Sequence, residues 1–113
     1  MVRTLYTAEC RNPIKSSDGF EQSTINLSDN PEASTSPAIA VSRNNIHVVW
    51  EETTASETME VLYKKSTNGG ATFGSTINLS NNPGTSYRPS ITVFGNNVYE
   101  VWQDTTPGND DIF

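Results

Sequence analysis

Ser23-Thr24-Ile25-Asn26-Leu27-Ser28 recurs letter for letter as Ser75-Thr76-Ile77-Asn78-Leu79-Ser80, an offset of 52 residues. The offset persists downstream. Asn30-Pro31 answers to Asn82-Pro83, Pro37 to Pro89, and Ile39 and Val41 to Ile91 and Val93. Asn44-Asn45 answers to Asn96-Asn97, Val49-Trp50 to Val101-Trp102, and Thr53-Thr54 to Thr105-Thr106. Between Ser23–Val61 and Ser75–Phe113, 18 of 39 aligned positions are identical, so the chain is a tandem duplication. A period of about 50 residues signals a repeat architecture.

One unit reads as four short strands. Pro37 to Val41 alternates apolar and small residues, as a strand does. Asn44-Asn45 marks a tight turn, because asparagine tolerates positive φ. Ile46 to Trp50 is a second strand, closed by Glu51-Glu52. A polar loop, Thr53 to Thr58, leads to a third strand, Met59 to Lys65. Ser66 to Gly70 is a glycine turn, and a fourth strand falls within Thr72 to Leu79. No helical periodicity interrupts the pattern. The expected fold class is therefore all-β, with four-stranded antiparallel sheets as the blades of a β-propeller.

The repeat frame divides the chain into a partial blade 1–36, a complete blade 37–88 and a partial blade 89–113. Val2 to Thr7 reads as a degenerate second strand. Arg11 to Ser16 stands where a third strand belongs, although Pro13 weakens it. Closed propellers need about four to eight blades, so this is an incomplete propeller. Either further blades lie in a longer chain or copies of the chain complete the ring.

Composition narrows the function. Thirteen acidic residues against seven basic ones give a net charge of -6, which disfavours nucleic acid and anionic membranes. Cys10 is the only cysteine, so neither an internal disulfide nor a cysteine-based metal site can form. No stretch approaches the roughly 20 apolar residues of a membrane helix, and no membrane insertion is expected. Met1 to Cys10 lacks the basic start and apolar run of a signal peptide, so an export signal would lie outside this piece.

Ser66-Thr67-Asn68-Gly69-Gly70-Ala71-Thr72-Phe73 resembles the Asp-box, the S-x-D-x-G-x-T-[FW] signature of sialidase-like (BNR-repeat) propellers. It falls between the third and fourth strands, where that family places it, with Asn68 in the aspartate position. Ser16-Ser17-Asp18-Gly19-Phe20 is similar to a shortened copy that keeps the aspartate. The resemblance covers nearly the whole chain after about Pro13. It implies a structural role for Ser66, Asn68, Gly70, Thr72 and Phe73, and for Ser16, Asp18, Gly19 and Phe20. The side chain at the Asp position would bind backbone N–H groups and fix the hairpin. The motif implies fold, not sialidase chemistry.

Sialidases grip a carboxylate with three arginines and use a tyrosine, a glutamate and an aspartate. This chain has four arginines, Arg3, Arg11, Arg43 and Arg88. Arg88 is the one catalytic candidate: Tyr87-Arg88-Pro89 resembles the family's [FY]-R-I-P motif without its isoleucine, and the earlier unit has Thr35-Ser36-Pro37 there. Glu51-Glu52, matched by Gln103-Asp104, could serve as paired carboxylates. Adjacent strand residues point to opposite faces, so solvated strand ends are the expectation. His47 is the lone histidine, aligned with Tyr99, and is expected at a surface strand position. Asp104, Asn109, Asp110 and Asp111 gather oxygen ligands in one loop and are the candidates for calcium. Trp50 and Trp102 read as inter-blade core, and Tyr87 and Tyr99 as candidate ligand-binding aromatics. Asn26-Leu27-Ser28 and Asn78-Leu79-Ser80 fit the N-glycosylation pattern.

No catalytic set assembles from these residues. The leading expectation is a non-catalytic binding or scaffolding module of a secreted or cell-surface repeat protein, with carbohydrate or a surface protein as partner. The alternatives are a fragment of a sialidase-like glycoside hydrolase completed elsewhere, and a small propeller lectin assembled from copies of itself.

Overall fold

The computed structural model describes the backbone of residues 2–7 and 20–113, and side chains from Thr24 onward. Among these residues there are nine strands and no helix. They are β1 (Val2–Thr7), β2 (Phe20–Ile25), β3 (Ser34–Ser42), β4 (Asn45–Thr53), β5 (Met59–Ser66), β6 (Ile77–Asn78), β7 (Ser86–Phe94), β8 (Asn97–Asp104) and β9 (Asp111–Ile112). Three antiparallel sheets result: β1-β2, a central sheet β3-β4-β5-β6, and a last sheet β7-β8-β9. The chain is all-β, as its strand pattern indicates. The third strand expected over Arg11 to Ser16 lies outside the described residues.

Period-two alternation with β-branched residues drives β4. Ile46, Val48 and Trp50 point to one face, and His47, Val49 and Glu51 to the other. Both faces are covered: every residue from His47 to Glu51 is buried. On one side Leu27, Val48, Trp50 and Leu62 form a cluster, with Ile25, Ile46 and Phe73 against it. On the other side Val49 and Val61 are fully buried. There β7 packs across β3, β4 and β5, so the last sheet lies over the central one.

The repeat extends to backbone conformation where the residues differ. Ladder register shifts between Thr35 and Ala38 in β3, and between Tyr87 and Ser90 in β7. At these bulges Ser36 has φ 51° and Arg88 φ 55°. The β3–β4 turn carries φ 55° at Arg43, and the β7–β8 turn carries φ 61° at Gly95. The sequence places the left-handed residue of the first turn at an asparagine; it falls one position earlier, on Arg43. Gly95-Asn96 shows why: Gly first is the choice for a two-residue hairpin whose first position needs positive φ. The fourth strand falls within Thr72 to Leu79, as expected, and is short. Only Ile77–Asn78 pairs in the ladder, although Gly74 N–H and Leu79 N–H still donate to Lys65 and Val61 carbonyls at 2.9 and 2.8 Å.

Candidate functional site

The acidic residues at the ends of β4 and β8 are held by several hydrogen bonds each. Oδ2 of Asp104 accepts from Asn82 Nδ2 at 2.5 Å, Ser86 Oγ at 2.7 Å and Trp102 Nε1 at 3.3 Å. Its Oδ1 accepts the Thr106 N–H at 2.7 Å. The first repeat builds the same clamp on Oε2 of Glu52, from Asn30 Nδ2 at 2.5 Å, Trp50 Nε1 at 3.0 Å and Ser34 Oγ at 3.5 Å. Burial alone would raise the Asp104 carboxyl. Hydrogen bonds from Thr106, Ser86 and Asn82 outweigh it and hold the group well below the usual carboxylate range.

Glu51 points to the opposite face and ties the two sheets together. It accepts from Thr35 Oγ1 at 3.0 Å within its own sheet, and from the Arg88 backbone N–H of the last sheet. Glu51 is buried. The expectation of solvated strand ends is thus corrected: both carboxylates meet fixed donors. The bulge at Arg88 aims that N–H between the sheets, while its guanidinium stays outside. Nη1 donates to Gln103 Oε1 at 3.1 Å, and the group lies 5.6 Å from the centre of the Tyr87 ring. Arg43 sits in the β3–β4 turn, at the far end of the strands from Arg88. The side chains of Arg3 and Arg11 lie outside the described residues.

His47 is buried rather than at the surface, a second correction. Its neighbours explain the difference: the last sheet covers that face of β4. His47 Nδ1 lies 2.7 Å from Tyr63 Oη, with the rings stacked at 6.0 Å and 28°. Burial first, and then the Lys65 charge, lowers the imidazole pKa. Tyr63 is raised by burial and by the Glu100 charge, and burial raises Glu100 itself.

The turn Ser66 to Phe73 is organised by two side chains. Ser66 Oγ accepts the N–H of Asn68 at 3.3 Å and of Gly70 at 2.9 Å, and donates to Asn68 Oδ1 at 2.8 Å. Asn68 Oδ1 accepts the Thr72 N–H at 3.0 Å, and its Nδ2 donates to Thr72 Oγ1 at 2.7 Å. Gly69 and Gly70 take φ of 70° and 90°. Phe73 packs against the Trp50 cluster. Ser16, Asp18 and Gly19 lie outside the described residues, and Phe20 opens β2.

The structure brings part of the acidic loop together, with Asp104 and Asp111 as partners across β8 and β9. Asp104 lies inside its clamp. Asn109 Nδ2 donates to Asp111 Oδ1 at 3.2 Å. A hydrogen bond to Asp110 raises the Tyr87 hydroxyl pKa. Among the described residues, no three His, Cys, Asp or Glu side chains converge as metal ligands. Tyr99 is exposed on the open face of β8. Asn26 and Asn78 are exposed, with each Oδ1 accepting bonds from the turn that follows: Ser28 Oγ and Asp29 N–H, and Ser80 Oγ and Asn81 N–H.

The clamp partners Asn30, Ser34, Asn82 and Ser86 are what the residue-by-residue reading missed. Their signal is in the repeat, since each asparagine and serine recurs at the 52-residue offset together with Trp50 and Trp102. No family model, curated protein or solved structure matches the chain.

Proposed function

We propose that the chain is part of a sialidase-like β-propeller whose sheets are its blades. We propose further that it works as a non-catalytic binding or scaffolding module of a secreted or cell-surface repeat protein. The four-stranded central sheet, the stacking of the last sheet upon it and the Ser66–Phe73 turn support the blade reading. The observation that carries the non-catalytic reading is the duplicated clamp. Glu52 and Asp104, which belong to the candidate carboxylate positions, each hold the same Asn, Ser and Trp donors in successive repeats. A group fixed this way in every repeat serves the repeat and not one reacting centre. Binding then falls to exposed loops and aromatics, with carbohydrate or a surface protein as the partner class.

One observation favours the rival reading of a glycosidase fragment. Arg88 holds its guanidinium exposed beside Tyr87 in one repeat only, and a guanidinium is suited to a substrate carboxylate. Two assays on the same protein separate the readings: hydrolysis of a fluorogenic sialoside, and retention on a glycan array. The binding reading expects retention without hydrolysis. Sialic acid release that is lost in Arg88→Ala would overturn it.

A further inference from the structure

A cavity of about 200 Å³ lies between the central and last sheets, at the end of the strands that carries the β3–β4 and β7–β8 turns. Ser42, Asn45, His47 and Lys65 line it from the central sheet, and Val93, Val98 and the Gly95-Asn96 turn from the last. Two consecutive sheets thus make the cavity between them, and Ser42 Oγ joins them there by donating to the Gly95 carbonyl at 3.4 Å. Three of the lining positions are places where the repeats part. Ser42 answers to Phe94, His47 to Tyr99, and Gly95 to Arg43. The lining residue is the smaller of each pair, so the room comes from the differences. The carboxylate clamps recur in both repeats; this cavity is built from what does not recur.

Its strongest polar groups are donors that lack an acceptor. His47 is 3% exposed, and Tyr63 Oη occupies its Nδ1 at 2.7 Å. Burial and the Glu100 charge keep the Tyr63 hydroxyl protonated, so it is the donor to Nδ1 and the imidazole proton stays on Nε2. Nε2 has no partner among the described residues. The Lys65 ammonium has none there either, and its charge reaches the imidazole. No Asp or Glu lines the cavity. A buried donor left unmet costs free energy, and an anionic acceptor relieves it most. We propose that this cavity binds a small oxyanion, held by His47 Nε2–H and the Lys65 ammonium with the amides of Asn45 and Asn96 beside them. Size narrows the ligand. The space is several times the ~30 Å³ of one water, yet below the ~300 Å³ at which drug-sized pockets begin. A sulfate, a phosphate or the acid group of a single sugar meets both limits. The proposal does not rest on the glycan reading, since a free anion satisfies the same donors.

His47 is the only histidine, so its imidazole resonances in the isotope-labelled full chain report on this cavity alone. Sulfate, phosphate, glucuronate and glucose are titrated in turn at neutral pH and fixed ionic strength. The expected result is a saturable shift of His47 with at least one anion and none with glucose. Binding is expected to weaken about tenfold in Lys65→Met, the worth of one charge-assisted bond. Lys65 is exposed, so that variant keeps the fold. Ser42→Phe, which brings in the residue of the other repeat, is expected to fill the cavity and abolish binding. Glucuronate binding tighter than the inorganic anions assigns the site to acidic sugars, and the reverse order assigns it to a free anion. No saturable shift with any anion, an equal shift with glucose, or binding unchanged in Lys65→Met overturns the proposal.

Discussion

Glu51 and Arg88 belong to different sheets, and the Glu51 carboxylate accepts the Arg88 backbone N–H. A side chain at the end of one repeat thus fixes a backbone bulge at the start of the next. Glu51→Ala leaves that N–H and Thr35 Oγ1 without their acceptor. The expected loss is about 2 kcal/mol, the usual cost of stranding buried polar groups. Glu51→Gln keeps an acceptor oxygen, as Gln103 does, and is expected to lose less than half as much. Equilibrium denaturation in urea measures both.

His47 is held neutral by burial and by Lys65, facing Tyr63, with Glu100 beyond it on the last sheet. Its pKa is lower folded than unfolded, so the unfolded chain takes up the proton first. Stability is therefore expected to fall as pH drops from about 6.5 towards the lowered folded value. Glu100, whose pKa is raised, acts in the opposite sense at lower pH. His47→Phe is expected to flatten the slope in the histidine window while lowering stability throughout. Melting temperature across that pH range reads the effect.

Arg43 takes a left-handed conformation that its repeat partner gives to Gly95. A Cβ at Gly95 would meet nothing within 4 Å, so the cost of a side chain at this turn position is backbone strain alone. Arg43→Gly is expected to stabilise the chain by about 1 kcal/mol, the usual penalty of that region for a non-glycine residue. Chemical denaturation of the variant checks it.

Asn68 accepts the Thr72 N–H and donates to Thr72 Oγ1. An aspartate keeps the first bond and can take the threonine hydroxyl as a donor for the second. Asn68→Asp is expected to cost less than about 0.5 kcal/mol, and Asn68→Ala about 1 to 2 kcal/mol, by the worth of such bonds. Thermal melts of the two variants separate the outcomes.

The strands were legible because period-two alternation and the 52-residue copy agree, as at Ile46 to Trp50 and Val98 to Trp102. Burial of His47 and Glu51 was not, because a strand pattern does not say which sheet will cover its second face. Positive φ at Arg43 was hidden by its residue type and visible only through Gly95. The clamps escaped because Asn30 and Asn82 lie 22 residues from the carboxylates they reach, a separation that only the fold closes.

The most direct test of the claim that these carboxylates serve the fold is the unfolding free energy of Asp104→Ala. Asp104 is 1% exposed and engages four donors. The account expects a loss of about 3 kcal/mol or more, because several buried donors lose their acceptor. An unchanged or higher stability would contradict it, since that is the behaviour of a residue kept for chemistry at the expense of the fold.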